Sequence, residues 1–160
     1  MDIVKSSRHS KIAGDFGEAL ILYWLSKHGF ECARVDHSGI DLIARNPHTD
    51  ELMGISVKTR TRSSGTEDTG VAIRNPEFDK ARQACEAFGC TPYFAIVVDA
   101  GELIHTFLLS MNHLLKLFPK GKTQSNWSMH PRNVIGYHEE DPDIKSFVFR
   151  TEAVSWWQTP

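Results

Sequence analysis

Residues 39–60, GIDLIARNPHTDELMGISVKTR, read as two short strands joined by a turn. In the first, Ile40, Leu42 and Ala44 alternate with Asp41, Ile43 and Arg45; in the second, Met53, Ile55 and Val57 alternate with Gly54, Ser56 and Lys58. Successive strand side chains point to opposite faces, so Ser56 and Lys58 share a face. Asn46-Pro47-His48-Thr49-Asp50 supplies the turn. Pairing the two strands as a hairpin sets Asp41 roughly opposite Ser56 and beside Lys58. A carboxylate, a hydroxyl and an amine then gather on a sheet otherwise built of apolar residues.

Outward from this hairpin, residues 14–28 carry a helical pattern that Gly29 stops. Phe16, Leu20, Tyr23 and Trp24 form one apolar stripe, and Glu18, Leu22 and Leu25 lie on another. A helix apolar on most sides is packed on most sides. Glu18 is then either an acid favoured near a helix N-terminus or a carboxylate near a buried stripe that needs a cation or donor. Residues 1–12 are polar and expected to be frayed or loosely docked. Phe30–Val35 reads as a strand, and Asp36-His37-Ser38-Gly39 turns the chain into the Asp41 strand.

Beyond Lys58, residues 61–70 (TRSSGTEDTG) form an exposed loop by composition. Asn75-Pro76-Glu77 supplies an N-cap, a first-position proline and a first-turn acid for a helix running to Phe88 and ending at Gly89. TPYFAIVV, 91–98, is apolar enough for a central strand buried on both faces. Residues 102–109 read as a further strand. Ser110 caps a short helix through Phe118, Lys120–His130 is loop-like, and residues 144–150 alternate as a last strand. His105 and His113 read as surface residues of their strand and helix. Trp156 and Trp157, near the C-terminus, suit a docked tail or a dimer contact.

The hairpin pattern of glycine, apolar residue, Asp, turn, and a strand ending in x-Lys resembles the core motif of the PD-(D/E)XK nuclease superfamily, which includes restriction endonucleases and Holliday-junction resolvases. Asp41 matches the motif's first acid and Lys58 its lysine, while Ser56 stands where the pattern has Asp or Glu. Gly17-Glu18 matches the Gly-Glu found on the first helix of the resolvase-like branch. The element order, helix, three strands, helix, strand, agrees with the αβββαβ core of that superfamily over about residues 14–98. The expected fold is therefore α/β (α+β): a restriction-endonuclease-like core with a mixed central sheet flanked by helices, in one domain over 1–160, with C-terminal additions over 102–157.

The resemblance implies a Mg²⁺- or Mn²⁺-dependent phosphodiesterase acting on nucleic acid, with DNA the expected target and a homodimer a common form. Glu18 and Asp41 would hold the metal with the main-chain carbonyl of Val57, and Lys58 would orient water or stabilise developing charge. Ser56 is a poor ligand for a hard cation, so the missing acid is expected to come from Glu18 or Asp36. The alternative is a catalytically silent member of the fold that binds nucleic acid or a protein. Arg60, Arg62, Arg74 and Lys80 are the candidate nucleic-acid contacts.

Composition bounds these readings. The 160 residues suit one domain, and 41% hydrophobic with 24% charged residues is ordinary for a globular protein. A formal net charge of −2 argues against indiscriminate coating of nucleic acid but permits a local basic surface. Cys32, Cys85 and Cys90 do not make a disulfide framework or a zinc-ligand spacing. No apolar run is long enough to span a bilayer, and the chain opens without a signal-like segment, so a cytoplasmic location without membrane association is expected.

Overall fold

The computed structural model describes residues 4–152; Trp156 and Trp157 lie outside them. Helix α1 (His9–Lys27) is followed by β1 (Glu31–His37), β2 (Ile40–Arg45) and β3 (Leu52–Thr61). Next come β4 (Val71–Arg74), α2 (Asn75–Phe88), β5 (Thr91–Asp99), β6 (Leu103–Ser110) and α3 (Met111–Leu117). The chain closes with β7 (Gln124–Trp127), α4 (Pro131–Glu139) and β8 (Lys145–Arg150). Six strands form a mixed sheet in the order β1-β2-β3-β5-β6-β8, and β4 and β7 form a separate two-stranded sheet. The expected order of helix, three strands, helix and strand is present, with β4 added before α2.

Alternation along the strands builds one core on each face. On the first, Leu20, Ile21 and Leu25 of α1 pack on Leu42, Met53, Ile55, Ala95 and Val97. On the second, Phe78 and Ala81 of α2 join Phe94, Ile96, Phe107, Leu109, Leu114, Trp127 and Tyr137. β5 is the expected central strand, parallel to β3 and antiparallel to β6, with Phe94 to Val98 fully or almost fully buried.

Three sequence expectations need correcting. Helix α1 begins at His9 instead of Gly14, because its first turn is tied down: the His9 ring meets Thr61 Oγ1 at 3.0 Å. Its buried stripe is Gly17, Leu20, Ile21 and Leu25, while Phe16 and Tyr23 are exposed. Gly17 explains the rotation. A Cβ there would fall 1.9 Å from Thr59 Oγ1, so the helix meets β3 through its glycine. Finally, the region expected to be loop over Lys120–His130 contains β7, and a helix not expected at all, α4, follows it. β7 pairs antiparallel with β4 and inserts Trp127, fully buried, into the second core.

His105 is half-buried against α4: its Nδ1 lies 3.1 Å from His138 Nε2, and His138 Nδ1 lies 2.7 Å from Ser146 Oγ. Burial holds both imidazoles below their usual range. Both rings are thus built into the packing between β6, α4 and β8. Among the described residues no helix is long and apolar enough to cross a membrane. The three cysteines are free.

Candidate active site

The β2–β3 ladder pairs Leu42 with Ile55 and Ile43 with Gly54. Leu42–Ile55 is the last pair of this ladder, and Asp41 and Ser56 are the next residues beyond it. The Asp41 carboxylate reaches over the strand boundary and accepts the Val57 N–H at 2.7 Å. That bond fixes the carboxylate against the second strand. In the parallel β3–β5 pair, Ser56 lies beside Phe94 and Lys58 beside Ile96, both residues of the core under α2. Ser56 is 5% exposed and contributes no charge.

Lys58 points towards α2, and its ammonium makes an ion pair with Glu77 Oε1. The Lys58 side chain is 16% exposed and that of Glu77 33%. Glu77 sits in the first turn of α2, where its other oxygen accepts the Arg74 N–H at 3.0 Å. One carboxylate thus caps its own helix and holds the Lys58 amine. Partial burial pushes the Glu77 carboxyl up, but the Lys58 hydrogen bond and charge outweigh this and hold it below the ordinary carboxylate range.

Two close approaches set this geometry. Gly39, at φ +103°, lies against α2: a Cβ there would be 2.3 Å from the Lys80 carbonyl oxygen. A Cβ on Gly54 would be 2.5 Å from Cys85 Sγ. Both glycines let α2 settle directly onto the hairpin, and this brings Glu77 to Lys58.

Glu18 extends from α1 with its side chain 27% exposed and Arg34 of β1 at 3.9 Å. Burial raises its carboxyl above the usual range, and repulsion from Asp41 raises it further against the pull of Arg34. Glu18 and Asp41 are therefore near enough to feel each other's charge. Asp36 stands exposed in β1. Among the described residues the three-membered His/Cys/Asp/Glu group with ligand atoms within 4.8 Å of one another is His113, Asp141 and Asp143. It lies elsewhere, joining α3 to the turn before β8 through a 2.8 Å contact between His113 Nε2 and Asp141 Oδ2. Glu18, Asp41 and Asp36 do not close into such a group.

The expected basic residues separate into two kinds. Arg60 donates to the carbonyls of Thr59 at 2.9 Å and Ala72 at 3.5 Å, and Arg62 to those of Thr69 at 3.3 Å and Gly70 at 2.7 Å. Both bind β4 and the loop before it to β3. Arg74 and Lys80 are exposed. The residue that sequence reading missed is Glu77: its place after Asn-Pro signalled a first-turn acid, and nothing in the one-dimensional pattern tied it to Lys58.

No family model and no curated protein matches the chain. Among solved structures it is similar to Archaeoglobus fulgidus Hjc, described as a Holliday junction resolvase from an archaeal hyperthermophile. The TM-score is 0.55 at 17% sequence identity, covering 74% of this chain and 88% of the other. The mixed sheet flanked by helices is thus the resolvase- and restriction-endonuclease-like fold.

Proposed function

We propose that the protein is a divalent-metal-dependent nuclease in which Glu18 stands in for the missing motif acid and Glu77 holds the motif lysine. The observation that carries this reading is the Asp41 carboxylate held on the Val57 N–H, next in sequence to Lys58 and within range of the Glu18 charge. A carboxylate on α1 is thus available beside Asp41, while the strand itself offers only a hydroxyl at position 56. The fold likeness to Hjc supports nucleic acid, and DNA in particular, as the substrate. A homodimer and a cytoplasmic setting belong to the same reading.

The donor set fits a hard cation. Glu18 and Asp41 are two oxygen donors that repel each other, a repulsion a divalent ion would relieve. Mg²⁺ or Mn²⁺ would be held by Asp41 and Glu18, with the main-chain carbonyl of Val57 as a further ligand and waters filling the remaining positions. When bound, the metal would supply Lewis acidity and a more acidic water. Asp41 is held in orientation by the Val57 N–H. Lys58, released from Glu77, would carry positive charge to the phosphoryl oxygens, where negative charge grows in the transition state.

One observation favours a second reading. Glu77 already has Lys58 and Glu18 has Arg34, so these charges are met without a metal. Such a site suits a silent member of the fold that binds nucleic acid or a protein. Calorimetric titration of Mg²⁺ and Mn²⁺ separates the two, run with a short duplex whose scissile bonds resist cleavage. The nuclease reading expects saturable metal binding in the wild type that is lost in Asp41→Ala. No metal heat from the wild type with that duplex present would favour the silent module.

A further inference from the structure

Pro119-Lys120-Gly121-Lys122-Thr123 lies outside the αβββαβ core, between α3 and β7. Its position is nevertheless fixed by the first residue of α2. The Asn75 N–H donates to the Thr123 carbonyl at 2.9 Å, and its side-chain amide donates to the carbonyls of Gly121 at 3.1 Å and Lys122 at 3.3 Å. Gly121 N–H closes the turn on the Gln124 carbonyl at 2.8 Å, and Gln124 pairs with Arg74 in the small sheet. Asn75 is two residues before Glu77, the partner of Lys58. The loop is therefore anchored beside the reactive pair.

Three cations converge on this anchor: Arg74, Lys120 and Lys122. Lys120 lies 3.9 Å from Asp79 and 5.4 Å from the centre of the Phe78 ring, which aligns its stem along α2. Asp79 is shared with Arg82, 3.4 Å away. Arg74 and Lys122 are exposed and have no acidic partner among the described residues. By contrast, Arg60 and Arg62 spend their guanidinium donors on backbone carbonyls. In a chain of net charge −2, an ordered group of cations, two of them without an acidic partner among the described residues, is a local feature of the kind that binds polyanions.

We infer that Lys120 and Lys122, with Arg74, form the phosphate-backbone contact that holds a nucleic-acid strand against the Lys58–Glu77 site. This rests on the nucleic-acid reading above and adds the surface that positions the substrate. Phosphate contacts fix register and orientation without reading sequence, and a loop held by three hydrogen bonds presents its charges with little ordering left to complete.

The test is fluorescence anisotropy of a labelled duplex DNA over a range of salt, with EDTA present to prevent cleavage. Each phosphate contact contributes roughly 0.9 to the slope of log affinity against log salt. Lys120→Ala/Lys122→Ala is expected to bind about tenfold more weakly at low salt and to flatten the slope by about 1.8. Lys27→Ala/Lys145→Ala, which removes the same charge elsewhere, is expected to keep the wild-type slope. Wild-type binding with an unchanged slope in the Lys120/Lys122 variant overturns the loop assignment while leaving the nuclease reading in place. An equal flattening in the Lys27/Lys145 variant also overturns it, because bulk charge then accounts for the effect. Wild-type protein that binds no DNA at any salt removes both readings, and tighter binding of a polyglutamate peptide than of DNA assigns the surface to an acidic protein.

Discussion

Lys58→Ala is expected to lower DNA cleavage by about 10²–10³-fold, the usual cost of removing one donor aimed at developing charge. DNA affinity measured without cleavage should change little, since Lys58 is largely buried and the exposed cations lie on Arg74 and the 119–123 loop. The variant also separates catalysis from folding. Glu77 loses its charge partner but keeps the Arg74 N–H and a third of its surface in water, so no wholly buried charge is stranded. Arginine in this position should not restore full activity, because a planar fork cannot occupy the space of a compact ammonium. Cleavage undiminished in Lys58→Ala would take Lys58 out of the mechanism.

The largest stability effect is expected at Gly39. Its Cβ in Gly39→Ala would meet the Lys80 carbonyl oxygen at 2.3 Å and carbon at 2.5 Å, and Ala81 nitrogen at 2.9 Å, all backbone of α2. No side chain can rotate out of the way. The positive φ adds its own penalty for an L-residue with a Cβ. Overpacking and backbone strain together should cost about 2–5 kcal/mol, a large part of a typical domain's stability. Urea unfolding of the purified variant reads this directly. A loss below about 0.5 kcal/mol, the range of an ordinary surface substitution, would contradict the tight seating of α2 on the hairpin. Because α2 carries Glu77, a folded Gly39→Ala protein should also lose activity through displacement of that acid.

The elements set by local pattern were legible in the chain. Period-two alternation in 39–60 located both strands, and the hairpin register followed because an apolar face admits only one phase. Asn-Pro-Glu and the glycine after Phe88 bounded α2, and the structure ends it at Gly89 with φ +67°. The unbroken apolar run before Asp99 marked the central strand.

What escaped depends on partners distant in sequence. Gln124-Ser125-Asn126-Trp127 has no strand signature of its own and becomes β7 because β4 pairs with it and the core accepts Trp127. Asn-Val-Ile-Gly-Tyr-His, 133–138, has a weak helical pattern, but Tyr137 packs on Trp127 with ring centres 4.2 Å apart. Phe16 looked as apolar as Leu20, yet Gly17 next to it takes the contact with β3. Glu77 was visible as a helix-start acid, 19 residues from Lys58 in sequence. Only the packing of α2 across β3 makes it a site residue.

The most direct test of the account is a cleavage time course on linear duplex and four-way-junction DNA, comparing wild type with Glu18→Gln in Mg²⁺, Mn²⁺ and EDTA. The variant keeps the size of the side chain and removes only the acid that would offset Ser56. The expected result is cleavage by the wild type that requires a divalent ion and falls at least a hundredfold in Glu18→Gln. Equal cleavage by both proteins, or none by the wild type in either metal, would contradict the assignment of Glu18 as the relocated acid of a metal-dependent nuclease.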